Sequence, residues 1–534
     1  MQSHRPNSSG MADRTSHNTR VDATKTLSAA SALIIPNVLR SVFANWAGEA
    51  VLIVSGFILP RLISDHMSQE ELGIWDYGWA MRSYVVLAGG ALGSGAGHFV
   101  ARYTSNEQEP VLHRTMGAML ALVIYASACA ALLTAGLAFF TPWLIKTTSA
   151  AHISDARSLV LSMGLASCVA MVTLVFGGII AGSSRFDVLN LADGLTDLCL
   201  VMSVFACVLF GAGLKTMGLC VLARELLNGV AKYACTRHIL PRLHVRPRWV
   251  DWATFREISG FSAKTMIDTL SKVLQYQVAS LVVSAFIGPA ALALYSRPRA
   301  LILITTRFVM GFARVLVPAA AALHDQHDRA GLGKLLMQST RYAMFLALPP
   351  ALLLLILGRA ILTLWMGDSY ADDHVLLILV LGYLPLFAQQ ATYHILLGLA
   401  SHGLPGASSL IASTVGAGMS LLFVGMLGWG IEGAALATAI PVFVVNLCVL
   451  PYAGCKAAGL PLLSYLHESV LIPLFSVIPF GVALIAVRVW LYDDPKAQLL
   501  VGVGAGAPML AVVYWHIMPL ALRQRILRWG PSLS

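Results

Sequence analysis

Charged side chains are scarce in this chain of 534 residues. Asp, Glu, Lys and Arg together make up 12% of it, whereas a soluble domain carries about 25%. Hydrophobic residues account for 57%, and the mean hydropathy is +0.74. A water-soluble globule of this composition would have too little polar material to cover its surface. The scarcity of charge therefore excludes an ordinary soluble fold and predicts a chain that spans a lipid bilayer.

The chain also lacks the residue spacings of a metal, redox or phosphate-loop site. Its eight cysteines form no CxxC pair and nearly all lie in apolar runs, so we expect them to be small core hydrophobes. The glycine-rich segments 89–97 and 502–506 lie inside apolar runs, where close helix packing explains them better than phosphate binding. No cleaved signal is expected, because the first apolar stretch stops at Pro36. We expect no catalytic residue, metal or cofactor.

Positive charge is in excess, with 36 Lys and Arg against 26 Asp and Glu. Nucleic acid is not an expected partner, because the cations lie mainly in short connections and at the chain ends. If the N-terminus is cytoplasmic, the inner segments hold 18 Lys and Arg and the outer loops hold five. Basic residues keep loops in the cytoplasm. The pattern therefore predicts a multi-pass protein with both termini cytoplasmic.

Apolar runs recur along nearly the whole sequence and predict an all-α polytopic membrane protein with about 14 transmembrane helices. The spans are expected near 37–59, 78–100, 115–140, 158–182, 189–210, 217–235, 263–288, 291–322, 340–366, 374–399, 404–427, 433–454, 466–489 and 498–522. The longest inner connection, 236–262, is rich in Arg and Trp, which is typical of a linker on the membrane surface that touches anionic headgroups.

Two halves of the sequence match at an offset near 218 residues. Tyr77 corresponds to Tyr295, Trp143 to Trp365 and Asn228 to Asn446, in the same order in both halves. The matches indicate a duplicated six-helix unit, a layout that secondary transporters use. The predicted organisation is a polar cytoplasmic segment 1–36, an N-lobe 37–235, a basic cytoplasmic linker 236–262, a C-lobe 263–454, and two further spans with a basic tail in 455–534.

The predicted eighth span contains Arg297, Arg299, Arg307 and Arg314 and no acidic residue. At about 100° per residue the four share one side of the helix. Exposure of all four to lipid would cost on the order of 10–14 kcal/mol, so we expect them to face a polar interior. Guanidinium groups suit a diphosphate, because they stay charged and donate bidentately. Alternatively, the outermost or innermost pair extends to lipid headgroups.

Charged residues in the first lobe are candidates for the opposite wall of that interior. Arg40, Arg82 and Arg224 would add to a cationic cavity, whereas Glu49, Asp193, Asp197 and Asp268 are candidates for ion or proton coupling. Asp193 and Asp197 lie at i and i+4, so either a cation lies between them or one carboxyl binds a proton. Asp268 and Lys272 form a favourable i, i+4 pair, and Glu49 has Arg82 or Arg224 as an alternative ion-pair partner.

Several stretches resemble the polysaccharide flippase family of the multidrug, oligosaccharide-lipid and polysaccharide exporter superfamily. The matching segments are LGIWDYGW at 72–79, GHFVARY at 97–103 and GIEGAALAT at 430–438, and the resemblance covers about residues 37–455. It implies two six-helix lobes around a central cavity and export of a polyprenyl-diphosphate-linked oligosaccharide across the bacterial inner membrane, for lipopolysaccharide or exopolysaccharide synthesis. The implied partners are that lipid-linked substrate, membrane lipids, and candidate polymerase and chain-length proteins.

Two other functions compete with this one. A cation-coupled multidrug exporter has the same implied architecture, but a cavity rich in Arg should repel cationic drugs. A membrane enzyme that acts on the same lipid carrier, such as a polymerase or glycosyltransferase, needs catalytic groups in a sizeable segment outside the membrane. Here the outer loops are short, and their carboxylates, such as the pairs 372–373 and 493–494, lie in no sizeable segment. The sequence therefore favours a transporter over an enzyme.

Overall fold

The computed structural model describes residues 54–105, 109–147, 149–243, 245–247, 250–399, 403–492 and 494–517, without the side chains at 88–94, 104–105, 253, 261–265, 267–268 and 512–517. The described ranges are almost entirely helical and contain no β-strand. The predicted all-α, polytopic class is confirmed.

The helices follow the predicted spans in order along the chain. A first helix, α1, covers the described residues 54–66. The others are α2 Gln69–Ser94, α3 Ala96–Ser105, α4 Glu109–Leu144, α5 Ala150–Gly182, α6 Phe186–Leu209, α7 Leu214–Ile239, α8 Trp252–Phe286, α9 Pro289–Ala313, α10 Leu316–Asp325, α11 Arg329–Met366, α12 His374–Gly398, α13 Gly403–Ser420, α14 Gly430–Val444, α15 Leu450–Ala458, α16 Leu462–Leu466, α17 Ile472–Ser476, α18 Ile478–Trp490 and α19 Pro495–Ile517.

Nine helical segments of the described chain are long and apolar enough to cross a membrane. They are Glu109–Leu144, Ala150–Gly182, Phe186–Leu209, Pro289–Asp325, Arg329–Met366, His374–Gly398, Gly403–Met426, Gly430–Ala458 and Leu462–Trp490. Helices α2, α7 and α8 correspond to predicted spans 2, 6 and 7 but contain more charged residues. In these three helices, charge must be accommodated inside the protein.

Several helix boundaries differ from those expected from the sequence, and two of the differences bear on the site. The eighth span is interrupted at Arg314 and Val315, between α9 and α10. The linker predicted over 236–262 is helical at both ends, because α7 continues to Ile239 and α8 begins at Trp252. The early start of α8 has a local cause: the Asp251 carboxylate caps the helix by accepting from the backbone N–H of Thr254 at 3.4 Å.

The chain packs as two groups of helices. Helices α2 to α7 pack on one another, α8 to α15 form the second group, and the last helices pack along α11. The two groups meet where α2 packs against α8 and α9. At this contact Tyr77 and Tyr295, which the repeat pairs with each other, are both fully buried in one hydrophobic core.

The two groups are joined at the end of the molecule that carries loops 145–149, 287–288 and 367–373, which we call the closed end. There Lys146 donates its backbone N–H to the carbonyl of Ser284 and its Nζ to the carbonyl of Phe286, each at 3.0 Å. Trp365 Nε1 donates to the carbonyl of Phe57 at 2.8 Å, and the two rings lie 4.7 Å apart. The Lys146 bonds join the two groups directly, and the Trp365 bond joins the second group to α1, which precedes α2. This end is therefore shut.

At the opposite end, the start of α8 bridges the two groups. Asp251 is 2.7 Å from Arg114, and Glu257 accepts from the Tyr103 hydroxyl at 3.0 Å. The hydrogen bonds from Thr254 and Arg114 lower the pKa of Asp251 to about 2, so its carboxylate is ionised at neutral pH. In the described chain, α10 and α13 make no extensive packing with α2 to α7. Apart from the start of α8, the groups therefore diverge toward this end, which we call the open end.

Candidate functional site

Arg297 lies at the contact between the two helix groups. Its guanidinium binds both carboxylate oxygens of Asp76, which α2 supplies, and only 4% of the Arg297 side chain and 14% of the Asp76 side chain are exposed. The prediction that Arg297 belongs to an open cationic row is wrong for this conformation. Its partner is on another helix, 221 residues away. The absence of acids on α9 itself gave no indication of this partner.

Asp76 is the functional residue that the sequence reasoning missed. It lies within the LGIWDYGW segment, where it is a single acid among apolar and aromatic neighbours. A carboxylate at that place in a membrane helix requires a cationic partner. The lone acid in a membrane helix therefore indicates a buried ion pair, but it does not identify which arginine the carboxylate meets.

Arg299 lies two residues further along α9 and is partly exposed. Its guanidinium donates to the backbone carbonyl of Tyr276 on α8 and lies 6.0 Å from the centre of the Tyr295 ring. A cation over an aromatic face is stabilised by the ring quadrupole. Arg299 is thus held between α8 and α9, with part of its surface still accessible.

Arg307 and Arg314 lie in the half of α9 that extends away from α2, and both are exposed. Neither makes an ion pair with any residue of the described ranges, and the Arg314 guanidinium donates to the Met310 sulfur at 3.8 Å. From the rise per residue, Arg307 is about 12 Å and Arg314 about 22 Å beyond Arg299 along the axis. Of the four predicted arginines, therefore, these two remain available to a ligand.

The charged residues of the N-lobe form a paired network instead of an open wall. Glu225 on α7 accepts from Arg82 of α2 and, at 2.6 Å, from its neighbour Arg224. Arg224 also lies 2.6 Å from Asp197 of α6. At most 14% of each of these four side chains is exposed. Arg82 and Arg224 are therefore neutralised by acids, which corrects their assignment to a free cationic cavity.

Asp193 has its own partners, one turn from Asp197. Lys232 Nζ lies 2.7 Å from its carboxylate, and the Asn228 side-chain amide donates to it at 2.9 Å. The two carboxylates therefore avoid repulsion because α7 supplies a separate cation to each, Lys232 and Arg224. Of the two alternatives that the i, i+4 spacing left open, the structure shows cations next to the carboxylates.

Three of the candidate residues have side chains outside the part of the molecule that the structure describes. Arg40 and Glu49 lie outside the described residues, and the side chain of Asp268 lies outside the described side chains. Arg82 and Arg224, the predicted alternative partners of Glu49, are both bound to Glu225.

A separate cluster of ionisable side chains lies at the closed end. His374 Nδ1 is 3.2 Å from a Glu432 oxygen and 3.8 Å from an Asp372 oxygen. About half or more of each side chain is exposed, and hydrated pairs of this kind contribute little to stability. This cluster is separate from the α9 arginines and does not contribute to the candidate site.

Comparison with known proteins identifies the class of this fold. The structure superposes on the lipid II flippase MurJ in an inward closed conformation with a TM-score of 0.67 and 14% identity, over 90% of this chain and all of that chain. An inward-facing multidrug resistance MATE transporter of the MOP superfamily gives a TM-score of 0.62 and 14% identity, over 78% and 94%. The chain has the fold of this exporter superfamily.

Sequence matches are consistent with that fold. The family described as polysaccharide biosynthesis protein matches residues 114–374. The Bacillus subtilis (strain 168) protein described as uncharacterized membrane protein EpsK is 23% identical over 333 residues, which cover 61% of this chain. The match spans 65% of that curated relative. Together these matches confirm the resemblance to polysaccharide flippases that the sequence predicts.

Proposed function

We propose that this protein moves a polyprenyl-diphosphate-linked oligosaccharide across the bacterial inner membrane by alternating access, as a step of polysaccharide biosynthesis. One observation carries the proposal. The lobes are shut at one end around the Asp76–Arg297 pair, while Arg307 and Arg314 lie exposed and unpaired, among the described residues, on the half of α9 toward the other end. A lipid-linked diphosphate is an anion that suits two such guanidinium groups.

The same contacts give a physical cycle. With the closed end shut, the cargo diphosphate reaches Arg314 and Arg307 from the open end. Opening of the closed end then requires that Asp76 separate from Arg297 and that the Lys146 and Trp365 bonds break. A ligand moves such an equilibrium only through its difference in affinity for the two conformations. The cargo therefore has to bind the conformation with the separated Asp76–Arg297 pair more tightly than the shut one.

The paired N-lobe network supports a mechanical role for α2, α6 and α7 in this cycle. Three acids and three cations cancel within it: Glu225, Asp197 and Asp193 against Arg82, Arg224 and Lys232. Such a network holds its helices together as one body that rocks against α9. Ion or proton coupling at Asp193 and Asp197 is correspondingly disfavoured, and Glu49 stays a candidate coupling residue.

We further propose that the closed end faces away from the cytoplasm and that both termini and the connection 236–262 are cytoplasmic. The distribution of Lys and Arg supports this orientation. In intact cells, an impermeant thiol reagent should label a cysteine at position 372 and not one at position 246. Labelling at 246 from outside would reverse the assignment. Polymerase and chain-length proteins of the same biosynthesis are the proposed partners.

A multidrug exporter is the second candidate, because MATE transporters have the same fold. The exposed, unpaired Arg307 and Arg314 argue against it, since a cationic surface repels cationic drugs. Direct comparison of an anionic and a cationic cargo distinguishes the two candidates.

The decisive experiment is transport in proteoliposomes that contain the full chain. A fluorescent polyprenyl-diphosphate-linked N-acetylglucosamine serves as the anionic probe and rhodamine 6G as the cationic one. We expect only the anionic probe to change leaflets. In a cysteine-free background, cross-linking Phe57→Cys to Trp365→Cys should shut the closed end permanently and stop transport until the link is cleaved. Transport of rhodamine alone, or equal transport with and without the link, would contradict the proposal.

A further inference from the structure

Five tyrosines of α2, α8, α9 and α12 lie in or against one hydrophobic core in the region of Arg299. We call this group the tyrosine chamber, and it consists of Arg299 with Tyr77, Tyr84, Tyr276, Tyr295 and Tyr383. Arg299 binds the backbone of Tyr276, and its charge is within electrostatic reach of Tyr84 and Tyr383. Four of the five tyrosines are therefore linked to one guanidinium, and Tyr77 lies beside Tyr84.

Some side chains of the chamber are buried and held by packing, and the others are partly exposed. Tyr77, Tyr295 and Tyr383 are at most 3% exposed, so they are fixed by packing. Tyr84, Tyr276 and Arg299 are partly exposed. Aromatic side chains that are held in this way offer both an apolar face and a hydroxyl.

Polar atoms at the chamber are buried without a hydrogen-bond partner among the described residues. They are the Tyr84 hydroxyl, Arg299 Nε and the amide nitrogen Nε2 of Gln275, which lies beside Tyr383. Buried polar atoms in native proteins are nearly always bonded. Their hydrogen-bonding capacity is open to a polar ligand.

The place of the chamber relates it to the arginines further along α9. Arg299 is about 12 Å from Arg307 along the helix axis, toward the closed end. A cargo whose diphosphate lies at Arg307 and Arg314 would thus extend its carbohydrate toward the chamber, over a distance that a short oligosaccharide spans. The only acid near the chamber among the described side chains is Asp76, which is bound to Arg297.

We propose that the tyrosine chamber is the subsite that binds the carbohydrate of the cargo, with Tyr84, Arg299 and Gln275 as its hydrogen-bonding groups. This inference rests on the proposed transport of a lipid-linked sugar and assigns the sugar and the diphosphate to different parts of α9. Tyrosine rings provide the faces against which pyranose rings pack, and the unpartnered atoms provide bonds to sugar hydroxyls. Sugar recognition and diphosphate recognition should therefore be separable by mutation.

The test measures binding of two lipids to the full chain in nanodiscs by native mass spectrometry. The probes are undecaprenyl diphosphate and the same lipid carrying a trisaccharide of N-acetylglucosamine, which is long enough to reach from Arg307 to Arg299. The protein should prefer the sugar-bearing lipid. Tyr84→Phe, which removes one hydroxyl, should reduce that preference about fivefold, the usual effect of one hydrogen bond, and leave the affinity for the bare lipid unchanged. Tyr125→Phe, on an exposed face of α4, is the matched control and should change neither.

Two variants keep the test decisive. Arg299→Gln should also reduce the preference for the sugar-bearing lipid, and if that variant does not fold, Tyr84→Phe alone decides. The inference is overturned if Tyr84→Phe retains the full preference or weakens both lipids equally. If the unmodified protein binds the bare lipid without any preference for the sugar, the chamber assignment fails and the transport proposal stands. If it binds neither lipid, the proposed function itself fails, and the chamber assignment fails with it.

Discussion

The two lobes differ in whether their charged side chains inside the membrane are paired. In the N-lobe, Glu225 holds Arg82 and Arg224 together, and Asp193 is bound to Lys232. On α9 of the C-lobe, Arg307 and Arg314 have no ion-pair partner among the described residues. A paired network is complete without a ligand, whereas unpaired cations need an anion. The difference separates charge that holds the fold together from charge that is available to a cargo.

The matched positions of the two repeats have diverged in the same manner. Trp143 is 67% exposed beside other aromatic residues of α4, whereas its counterpart Trp365 bonds to the Phe57 carbonyl across the closed end. Asn228 donates to Asp193 of another helix, whereas Asn446 donates to the Val442 carbonyl of its own helix segment. Positions that the sequence pattern pairs therefore have different partners in the two groups of helices.

Glu225→Gln should have the largest effect, because it removes the acid that Arg82 and Arg224 share while leaving both arginines buried. We expect a loss of about 3–5 kcal/mol in the free energy of unfolding, measured by denaturation in detergent. Glu109→Gln, at an acid that is 64% exposed and 4.0 Å from Arg242, is the control and should change little. Equal stability of the two variants would show that the N-lobe network does not support the fold.

Arg307→Ala should reduce transport of the lipid-linked sugar at least about 100-fold, or about 2.7 kcal/mol, while the protein still inserts and accumulates. Arg307→Lys should rescue only partly, because an ammonium lacks the bidentate fork. Arg329→Ala, at an exposed residue that begins α11, is the matched control. A well-folded Arg307→Ala protein with full transport would show that the unpaired Arg307 does not bind the cargo.

Asp197→Asn should be tolerated better than Glu225→Gln, because Arg224 keeps its bond to Glu225. We expect a loss of about 1.5–3 kcal/mol, as for one hydrogen bond to a charged group. The dependence of transport on pH should stay as in the unmodified protein, since both carboxylates have cationic partners. Transport measured between about pH 5.5 and 8.5, a range around the ordinary pKa of histidine, checks this. Loss of the pH dependence would mean that the pair binds a proton during transport.

Trp365→Ala and Trp143→Ala should differ although the two residues are repeat counterparts. Trp365→Ala removes one hydrogen bond across the closed end, so a cysteine introduced at the buried Ser284 should react about fivefold faster with a thiol reagent. Trp143→Ala removes a ring that does not cross the lobes and should leave that rate unchanged. Equal rates in the two variants would show that Trp365 does not help to close this end.

The sequence by itself determined the class of the protein and the order of its spans. Hydropathy along the chain decides whether a segment crosses lipid, and that property is local. The requirement that Asp193 and Asp197 have a cation or a proton was also local, because residues at i and i+4 always share a helix face. The start of α8 could also have been read from local capping at Asp251.

Only the tertiary structure decided which charges are cancelled. Arg297 and Arg307 belong to the same helix and look equivalent in the sequence, yet Arg297 meets Asp76 of α2 and Arg307 meets no acid among the described residues. Which of them is paired depends on where α2 crosses α9 and how each helix is rotated, and distant segments fix both. An ion pair acts over a few ångströms, so residues 221 positions apart become partners only when packing brings their helices together.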